Sequence, residues 1–314
     1  MMKLDGVTVL VAVAEAGSIS EAARRIGLAK SVVSERLAEL ERVLGAKLVQ
    51  RTTRKLALTE DGFAFLGHAR TILREVEEAT AQLSERRGSL SGPLRIAGPV
   101  GFGVAHLGRA LSAFLAAHPG IDLSLDLDDR FVDVAADGYD AVIRHGAIRD
   151  NRLIARRLCA TRRVLVAAHG YLTAHGTPRS LDELEQASAV HYTNRNSDWR
   201  FTAADGARVI RPRAKLRVNN GLVMRDAVLA GIGIAMLPSF FVHEELADGR
   251  LVRIDIGVEP EGAELYIAYP PNRSTSAKLT ALIEWLRRSF GDPPYWEARL
   301  PRAGGEKILI QSQH

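Results

Sequence analysis

A glycine between two short amphipathic runs is the feature that most constrains the first sixty residues of this chain. The stretch GSISEAARRIGLAKSVVSERLAELERVLG (residues 17–45) places Gly27 between them, although one continuous helix would be simpler to build. Because glycine lacks a Cβ atom, it lets the chain turn tightly. We therefore predict two helices that meet at a steep angle, as in a helix-turn-helix.

The spacing of apolar residues predicts the helices around this turn. Residues 3–15 follow a helical period, and Gly17 ends that helix. Ser18 or Ser20 is expected to cap the next helix. A further helix of about fourteen residues ends at Gly45. In a helix-turn-helix this last helix lies in the major groove of DNA.

The segment after Gly45 predicts a basic wing. AKLVQRTTRKLALTEDG has the pattern of a small β-hairpin with RTTRK at its tip. Residues 20–55 hold nine Lys and Arg against four Glu, an excess equal to the formal charge of +5 of the whole chain. Basic side chains at phosphates add affinity but little sequence information. The residues predicted to contact DNA are Lys30, Ser31, Ser34, Glu35, Arg36, Arg51, Thr52 and Arg54.

A long helix and an α/β region follow. Residues 60–87 contain no proline and carry an apolar stripe, so we predict one helix that serves as a linker or dimerisation element. GSLSGP at 88–93 has the composition of a flexible linker. Beyond it, strands alternate with helices, which favours an α/β fold with a largely parallel sheet. Helices are expected at 104–117, 222–230 and 239–246.

Several classes of protein are disfavoured by the sequence. Cys159 is the only cysteine, so an intramolecular disulfide is impossible and a reducing compartment is expected. The N-terminus lacks the pattern of a signal peptide, and no stretch approaches about 18 uninterrupted apolar residues. We therefore expect a cytoplasmic protein without a membrane span.

The sequence offers no convincing catalytic or metal motif. The nine histidines are scattered, and G-x-S-x-G is absent. The acidic cluster of Asp126, Asp128, Asp129 and Asp133 is typical of a solvated loop. We predict no catalytic residue, no metal site and no cofactor, and hence not an enzyme.

The N-terminal segment resembles a known family nearly end to end. AEAGSISEAARRIGLAKSVVSERLAELERVLGAKLVQRTTRKLALTEDG is similar to the winged helix of the LysR-type transcriptional regulators. The segments DRFVDVAADGYDAVIRHG, RRVLVAA, NNGLVMRDAVLAGIGIAMLP and YIAYPP resemble the effector-binding domain of that family, in the same order. The resemblance implies an N-terminal winged helix-turn-helix, a long linker helix and a two-lobed α/β effector domain like a periplasmic binding protein.

The resemblance also implies the domain boundaries. We expect a DNA-binding domain at 1–59, a linker and dimerisation helix at 60–88, an effector-binding domain at 89–300 and a tail at 301–314. Lobe I should comprise about 92–162 and 267–300, and lobe II about 163–266. The chain is expected to cross between the lobes near 161–164 and 265–268.

An effector site between the lobes is implied by the same resemblance. Arg144 is a candidate anchor for a carboxylate, because a guanidinium matches two oxygens; the alternative is a structural ion pair with Asp129 or Asp140. His145 is of a type more often packed than ligand-binding. The predicted effector-binding residues are Val100, Gly101, Phe102, Asp129, Arg144, His145, Tyr192 and Asn220.

Three residues depart from the pattern of the family at the recognition helix. The family commonly has Ser-Gln where this chain has Ala29 and Lys30, and often Arg where it has Glu35. Lys30 has no acceptor for adenine but can bind guanine or a phosphate, and Glu35 can accept from cytosine. We therefore expect an altered half-site preference.

Together these features predict a sequence-specific DNA-binding transcriptional regulator that responds to a small organic acid or aromatic effector. A homodimer paired through residues 60–87 would bind an inverted repeat in double-stranded DNA. A tetramer and contact with RNA polymerase are implied by the resemblance alone. The alternatives are a solute-binding protein, which the missing signal peptide opposes, and an enzyme on the same two-lobed fold.

Overall fold

The structure, a computed structural model, describes most of the 314-residue chain. The described residues are 1–51, 56–85, 90–130, 133–134, 137–148, 150–194, 198–203 and 206–298. For residues 51, 77–78 and 81–85 the structure describes the backbone alone.

Three short helices and a two-stranded ribbon form the N-terminal unit. Gly27 has a φ of +67°, which only glycine adopts readily, and it separates the second helix from the third. Ser18 caps the second helix, since its Oγ accepts from the N–H of Glu21 at 3.1 Å. The elements are α1 (Leu4–Ala16), α2 (Ile19–Arg25), α3 (Lys30–Leu44), β1 (Val49–Arg51) and β2 (Leu56–Leu58).

A single helix, α4 (Glu60–Glu85), leads away from this unit. The hydroxyl of Thr59 caps it by accepting from the N–H of Gly62 at 3.0 Å. Ala69 of α4 is buried in the same core as Val9 and Leu10 of α1. The start of α4 is therefore fixed to the helix-turn-helix.

The rest of the described chain builds two α/β lobes. Its strands, in chain order, are β3 (Gly92–Gly98), β4 (Ile121–Leu127), β5 (Ala141–His145), β6 (Ile154–Thr161), β7 (Arg163–Ala168), β8 (Ser188–Tyr192), β9 (Trp199–Ala203), β10 (Gly206–Ile210), β11 (Arg213–Val218), β12 (Ile234–Pro238), β13 (Leu251–Ile254), β14 (Glu259–Pro260) and β15 (Ala263–Tyr269). Its helices are α5 (Val100–Phe102), α6 (Gly108–Ala117), α7 (His169–His175), α8 (Leu181–Gln186), α9 (Gly221–Leu229), α10 (His243–Ala247) and α11 (Ala277–Phe290).

Each lobe is organised around a mixed five-stranded sheet. The strand order is β4-β3-β5-β15-β6 in lobe I and β11-β8-β12-β7-β13 in lobe II. In each sheet two neighbouring pairs are parallel and two are antiparallel. One strand in each sheet, β15 in lobe I and β7 in lobe II, runs against the other four, so the expected largely parallel sheet is a mixed one. Each of these two strands begins directly after a crossing between the lobes.

The chain passes between the lobes twice. Arg162 alone separates β6 from β7 at the first passage. The second passage lies at residues 261–262, a few residues before the expected 265–268. The expected boundary was late because β15 already pairs with β6 from Ala263 onward, so the whole strand belongs to lobe I.

Two predicted helices differ from those observed. The expected helix at 239–246 is a 3₁₀ turn, Ser239–Phe241, followed by α10, because Val242 has a non-helical φ of −131°. The helix expected at 104–117 begins at Val100 and includes the π-helical turn Gly103–Leu107 between α5 and α6.

One stretch of the described chain has the length and composition of a membrane-crossing helix, Val100–Ala117. A bent pair, α1 with α2, meets the same test as one broken span. In the fold Phe102 and Phe114 of the first stretch are fully buried in lobe I, and Val9 and Leu10 of α1 in the N-terminal core. Both segments are core helices of this structure.

Candidate functional site

A cleft of about 220 Å³ lies between the two lobes. Lobe I contributes the segments that follow β3 and β4 and the end of β5, and lobe II contributes the start of α9 and the end of β12. Ligand sites of α/β folds are usually found in such crevices beyond strand ends. The residues that line it include Pro99, Gly101, Phe102, Asp129, Arg144, His145, Thr161, Arg163, His191, Tyr192, Trp199, Gly221, Met224, Met236, Leu237, Pro238, Phe240 and Phe241.

The predicted effector residues fall into two groups. Six of them line the cleft: Gly101, Phe102, Asp129, Arg144, His145 and Tyr192. The other two are absent from the wall and hold local backbone in place. The N–H of Val100 donates to Asp129 Oδ1 at 3.1 Å, and Asn220 Oδ1 caps α9 by accepting from the N–H of Leu222 at 2.9 Å.

Arg144 is the half-buried cation of lobe I in the cleft. Its guanidinium donates to the main-chain carbonyl of Arg130 at 2.6 Å. Among the described residues no carboxylate lies within ion-pair distance of it, and Asp140 is instead paired with the buried Arg273 at 3.1 Å. Burial lowers the pKa of Arg144 from its usual value, but a guanidinium remains charged at neutral pH. Arg144 therefore keeps donors for an anion.

Asp129 gives the cleft an acidic group near this cation. Burial, and then the neighbouring charge of Asp128, raise the pKa of Asp129, while the hydrogen bond from Val100 opposes that rise. A half-buried carboxylate of this kind can accept from a hydroxyl of a ligand.

Aromatic rings close one side of the cleft. His145 stacks on Phe240 with ring centres 4.9 Å apart, and Phe102 meets His145 edge to face at 5.4 Å. A Cβ added at Gly101 or Gly221 would lie 2.6 or 2.3 Å from the ring of Phe241. Both glycines are therefore needed for the close approach of this ring.

The sequence reading missed most of the lobe II wall. Phe240 and Phe241 lie in the 3₁₀ turn that follows β12, and Arg163 follows the first passage between the lobes. Their places in the sequence, after GIAMLP (residues 233–238) and at the first crossing, could have predicted that they line the cleft. Trp199 and Met224 reach the cleft only through tertiary packing, which local sequence does not show.

A buried histidine adjoins the cleft from behind. His106 is 4% exposed, with Nε2 2.9 Å from the carbonyl of Phe240 and Nδ1 bonded to the hydroxyl of Tyr295. Burial lowers the pKa of His106 to about 4, and the charges of His243 and Arg109 act in the same direction.

This shift predicts that acid destabilises the protein. The unfolded chain takes up a proton near pH 6.5, but folded His106 does so only near pH 4, so stability is present above pH 6.5 and falls as the pH drops through this window. We expect the free energy of unfolding to fall by about 3 kcal/mol across this window. Chemical denaturation across the window should show a smaller loss in His106→Gln than in wild type. The control variant His169→Gln, at an exposed position, should lose as much stability as wild type. If His106→Gln also lost as much as wild type, His106 would not be the cause of the acid sensitivity.

The exposed start of α3 forms the second candidate surface. Lys30, Ser31 and Glu35 are exposed, and Ser34 is half-buried beside them. Ala29 provides no side-chain cap and the first turn has no acidic residue, so no side chain among the described residues caps the amides at this end. Such a helix start favours a phosphate oxygen.

The basic residues of this unit divide into two groups. Arg36 pairs with Asp5 of α1 at 3.1 Å, and Lys47 pairs with Glu41 at 2.6 Å, so both charges are engaged within the protein. Lys30 has no carboxylate in ion-pair range within the described part of the chain. Thr52 and Arg54 lie outside the described residues, as does the side chain of Arg51.

A buried carboxylate fastens the wing to α3. Glu41 is 7% exposed, and its Oε1 accepts from the N–H groups of Leu48 and Val49 at 2.9 and 3.2 Å. These hydrogen bonds and the ion pair with Lys47 lower the pKa of Glu41, although burial alone would raise it. The base of the wing is thus fixed to the helix that carries Lys30.

The remaining candidate motifs have structural surroundings. Cys159 is fully buried, and burial raises the pKa of its thiol to about 12. Asp128 is bound to Arg130, and Asp126 to Arg95. No group of three metal-ligating side chains occurs among the residues that the structure describes.

Comparisons with known proteins match both halves of this geometry. Residues 4–63 match the bacterial regulatory helix-turn-helix protein of the lysR family, and residues 87–291 match the LysR substrate binding domain. The chain belongs to the LysR-type transcriptional regulators. The resemblance and the fold class inferred from the sequence are thereby confirmed.

Curated relatives of the regulator are similar over nearly their whole length. The HTH-type transcriptional regulator PtxR of Pseudomonas aeruginosa is 35% identical over 94% of this chain and 95% of its own. The HTH-type transcriptional regulator DmlR of Escherichia coli is 32% identical over 92% of this chain and 95% of its own. These relatives are transcriptional regulators, so the regulator is a DNA-binding protein of that kind with a substrate-binding effector domain.

A solved structure shares the arrangement of the regulator. The structure of CrgA, a LysR-type transcriptional regulator from Neisseria meningitidis, aligns with a TM-score of 0.60 at 28% identity, over 91% of this chain and 98% of that chain. The likeness includes the helix-turn-helix and the lobes, since the aligned share exceeds either part.

Proposed function

We propose that the chain is a cytoplasmic, sequence-specific transcriptional regulator whose α3 reads one half-site of an inverted repeat. The observation that supports this most is the exposed start of α3, which has no side-chain cap and where Lys30, unpaired with any carboxylate of the described residues, lies beside Ser31 and Ser34. The amides and Lys30 can hold a phosphate or a guanine, and the hydroxyls can reach base edges. Arg51, Thr52 and Arg54 of the wing are proposed to bind the DNA backbone.

Selection of genomic fragments on the purified protein tests this proposal. We expect intergenic sites with an inverted repeat, and Lys30→Gln should change the preferred bases, each contact being worth about 1–3 kcal/mol. The matched control is Arg42→Gln at the other end of α3, which should keep the wild-type preference. Recovery without any common motif, or the same motif from both variants, would contradict the reading role of Lys30.

For the effector we propose a small carboxylate with an apolar or aromatic body. Arg144 supplies donors to the carboxylate, Asp129 accepts from a polar group, and Phe240, Trp199 and Met224 supply apolar walls. A cleft of about 220 Å³ suits a compact ligand.

Calorimetric titration with benzoate, 4-hydroxybenzoate and neutral benzyl alcohol tests this chemistry. We expect the two carboxylates to bind. Arg144→Gln should lower their affinity by about 10- to 100-fold, which corresponds to the loss of a charge-assisted hydrogen bond. Arg130→Gln is the control, because that side chain is exposed and only its carbonyl meets Arg144. Equal binding of benzyl alcohol, or unchanged affinity in Arg144→Gln, would exclude the anchor.

We also propose that two copies pair through α4, as the apolar stripe of residues 60–87 suggests, and that pairs assemble further. The exposed Phe63 and Val76 of α4 support a partner on this helix. Contact with RNA polymerase would follow from a change in that assembly when the effector binds.

A further inference from the structure

The last described segment of the chain crosses the junction between the lobes. Residues 292–297, here called the strap, follow α11 and lie beyond residue 291, where the match to the substrate binding domain ends. Trp296 of the strap is 1% exposed and is buried in the lobe I core. Asp292 binds Arg157 of β6 at 2.7 Å. Both contacts anchor the strap to lobe I.

A single carboxylate oxygen of the strap reaches the junction itself. Glu297 Oε1 accepts from the N–H of Arg162 at 2.7 Å and from the hydroxyl of Ser239 at 2.9 Å. Arg162 is the one residue between β6 of lobe I and β7 of lobe II, and Ser239 follows β12 of lobe II. The N–H of Ser239 also donates to the carbonyl of Arg162 at 2.8 Å. Glu297 therefore joins the first passage to lobe II.

These two donors stand next to residues of the cleft wall. Arg163 directly follows Arg162, and Phe240 directly follows Ser239. Ser239 is fully buried, so its hydroxyl depends on a protein acceptor. Loss of Glu297 would leave the amide of Arg162 and this hydroxyl without their acceptor, and both segments of the wall would be free to shift.

We propose that the strap fixes the angle between the lobes and that Glu297 is a positioning residue for the cleft. An effect of Glu297 on ligand binding rests on the proposed function of the cleft. The effect of Glu297 on the angle between the lobes does not. Glu297 touches no cleft surface itself and acts through Arg163 and Phe240. The passages between the lobes form a hinge, and the strap holds that hinge in one of its positions.

Electron spin resonance on the full chain measures this directly. Nitroxide labels at Ser112→Cys on α6 and Thr173→Cys on α7 place one label on each lobe, and both positions are exposed while Cys159 is fully buried. Dilution with unlabelled protein restricts the signal to distances within one chain. We expect a single narrow distance for wild type, and in Glu297→Ala a displaced or about twofold wider distribution.

Three further variants make the result specific. Glu297→Gln keeps an oxygen at the same place and should restore the narrow distance, whereas Ser239→Ala should widen it in the same direction as Glu297→Ala. Asp292→Ala removes a carboxylate of the strap that binds lobe I only, and it should match wild type because the buried Trp296 still anchors the strap to lobe I. Hydrogen exchange at the amide of Arg162 should be about tenfold faster in Glu297→Ala.

An unchanged distance and unchanged exchange in Glu297→Ala would overturn the proposal, as would an equal effect of Asp292→Ala. Because no ligand is present, a failure of the proposed effector chemistry would appear only in the titrations of Arg144→Gln and would leave this result untouched.

Discussion

Gly62→Ala is expected to destabilise the N-terminal unit strongly, by at least about 2 kcal/mol. A Cβ at this position would lie 2.0 Å from the carbonyl oxygen of Leu48 and 2.9 Å from its carbonyl carbon. The obstacle is backbone, so no side-chain rotation relieves it, and α4 must move away from the wing. Thermal unfolding followed by far-ultraviolet circular dichroism measures the loss.

Gly67→Ala is the matched control for this prediction. It lies one and a half turns further along α4, is exposed, and has nothing within 4 Å of an added Cβ. Alanine is the better helix former, so this variant should be more stable by about 0.5–1 kcal/mol. Equal stabilities of the two variants would show that α4 does not pack on Leu48 as described.

Glu41→Ala is expected to separate the wing from α3 and to weaken specific DNA binding strongly. The amide groups of Leu48 and Val49 would lose their acceptor, and a buried donor without a partner costs about 1–3 kcal/mol. The wing is then no longer fixed relative to Lys30. Affinity for the selected inverted repeat should fall by about 100-fold or more.

Glu39→Ala on the same helix controls for the loss of a negative charge. Glu39 lies on the surface with Lys3 and Arg42 and accepts from no backbone amide of the described residues. Its removal should leave stability within about 0.5 kcal/mol and should not weaken binding to DNA. If Glu41→Ala bound the repeat as tightly as Glu39→Ala, the wing would not depend on this carboxylate.

Local signals predicted much of the N-terminal unit. Gly27 and Gly45 have positive φ and stand where the turn and the end of α3 were expected. The role of Glu41 was not predicted, because a glutamate in a charged helix is usually solvated. Its partners are amides several residues away that fold back on it, and only tertiary structure brings them together.

The cleft was less predictable than the helices. Six of the eight predicted residues line it, and whether they bind the effector stays a prediction. The lobe II wall depends on Phe241 packing against Gly221 of the same lobe and against Gly101, which lies more than a hundred residues away in the chain. The contacts of the strap were not predicted either, because Glu297 meets Arg162 and Ser239 only in the folded arrangement of both lobes.

The placement of Trp296 in the core of lobe I and Trp199 in the cleft has an optical consequence. The third tryptophan, Trp285, also lies in lobe I, and the chain contains no Trp or Tyr before Tyr139. The winged unit and α4 therefore contribute nothing to tyrosine and tryptophan absorbance or to indole emission. Fluorescence follows the effector half alone, so its unfolding curve, set against the helical signal of the whole chain, resolves two melting events without any label.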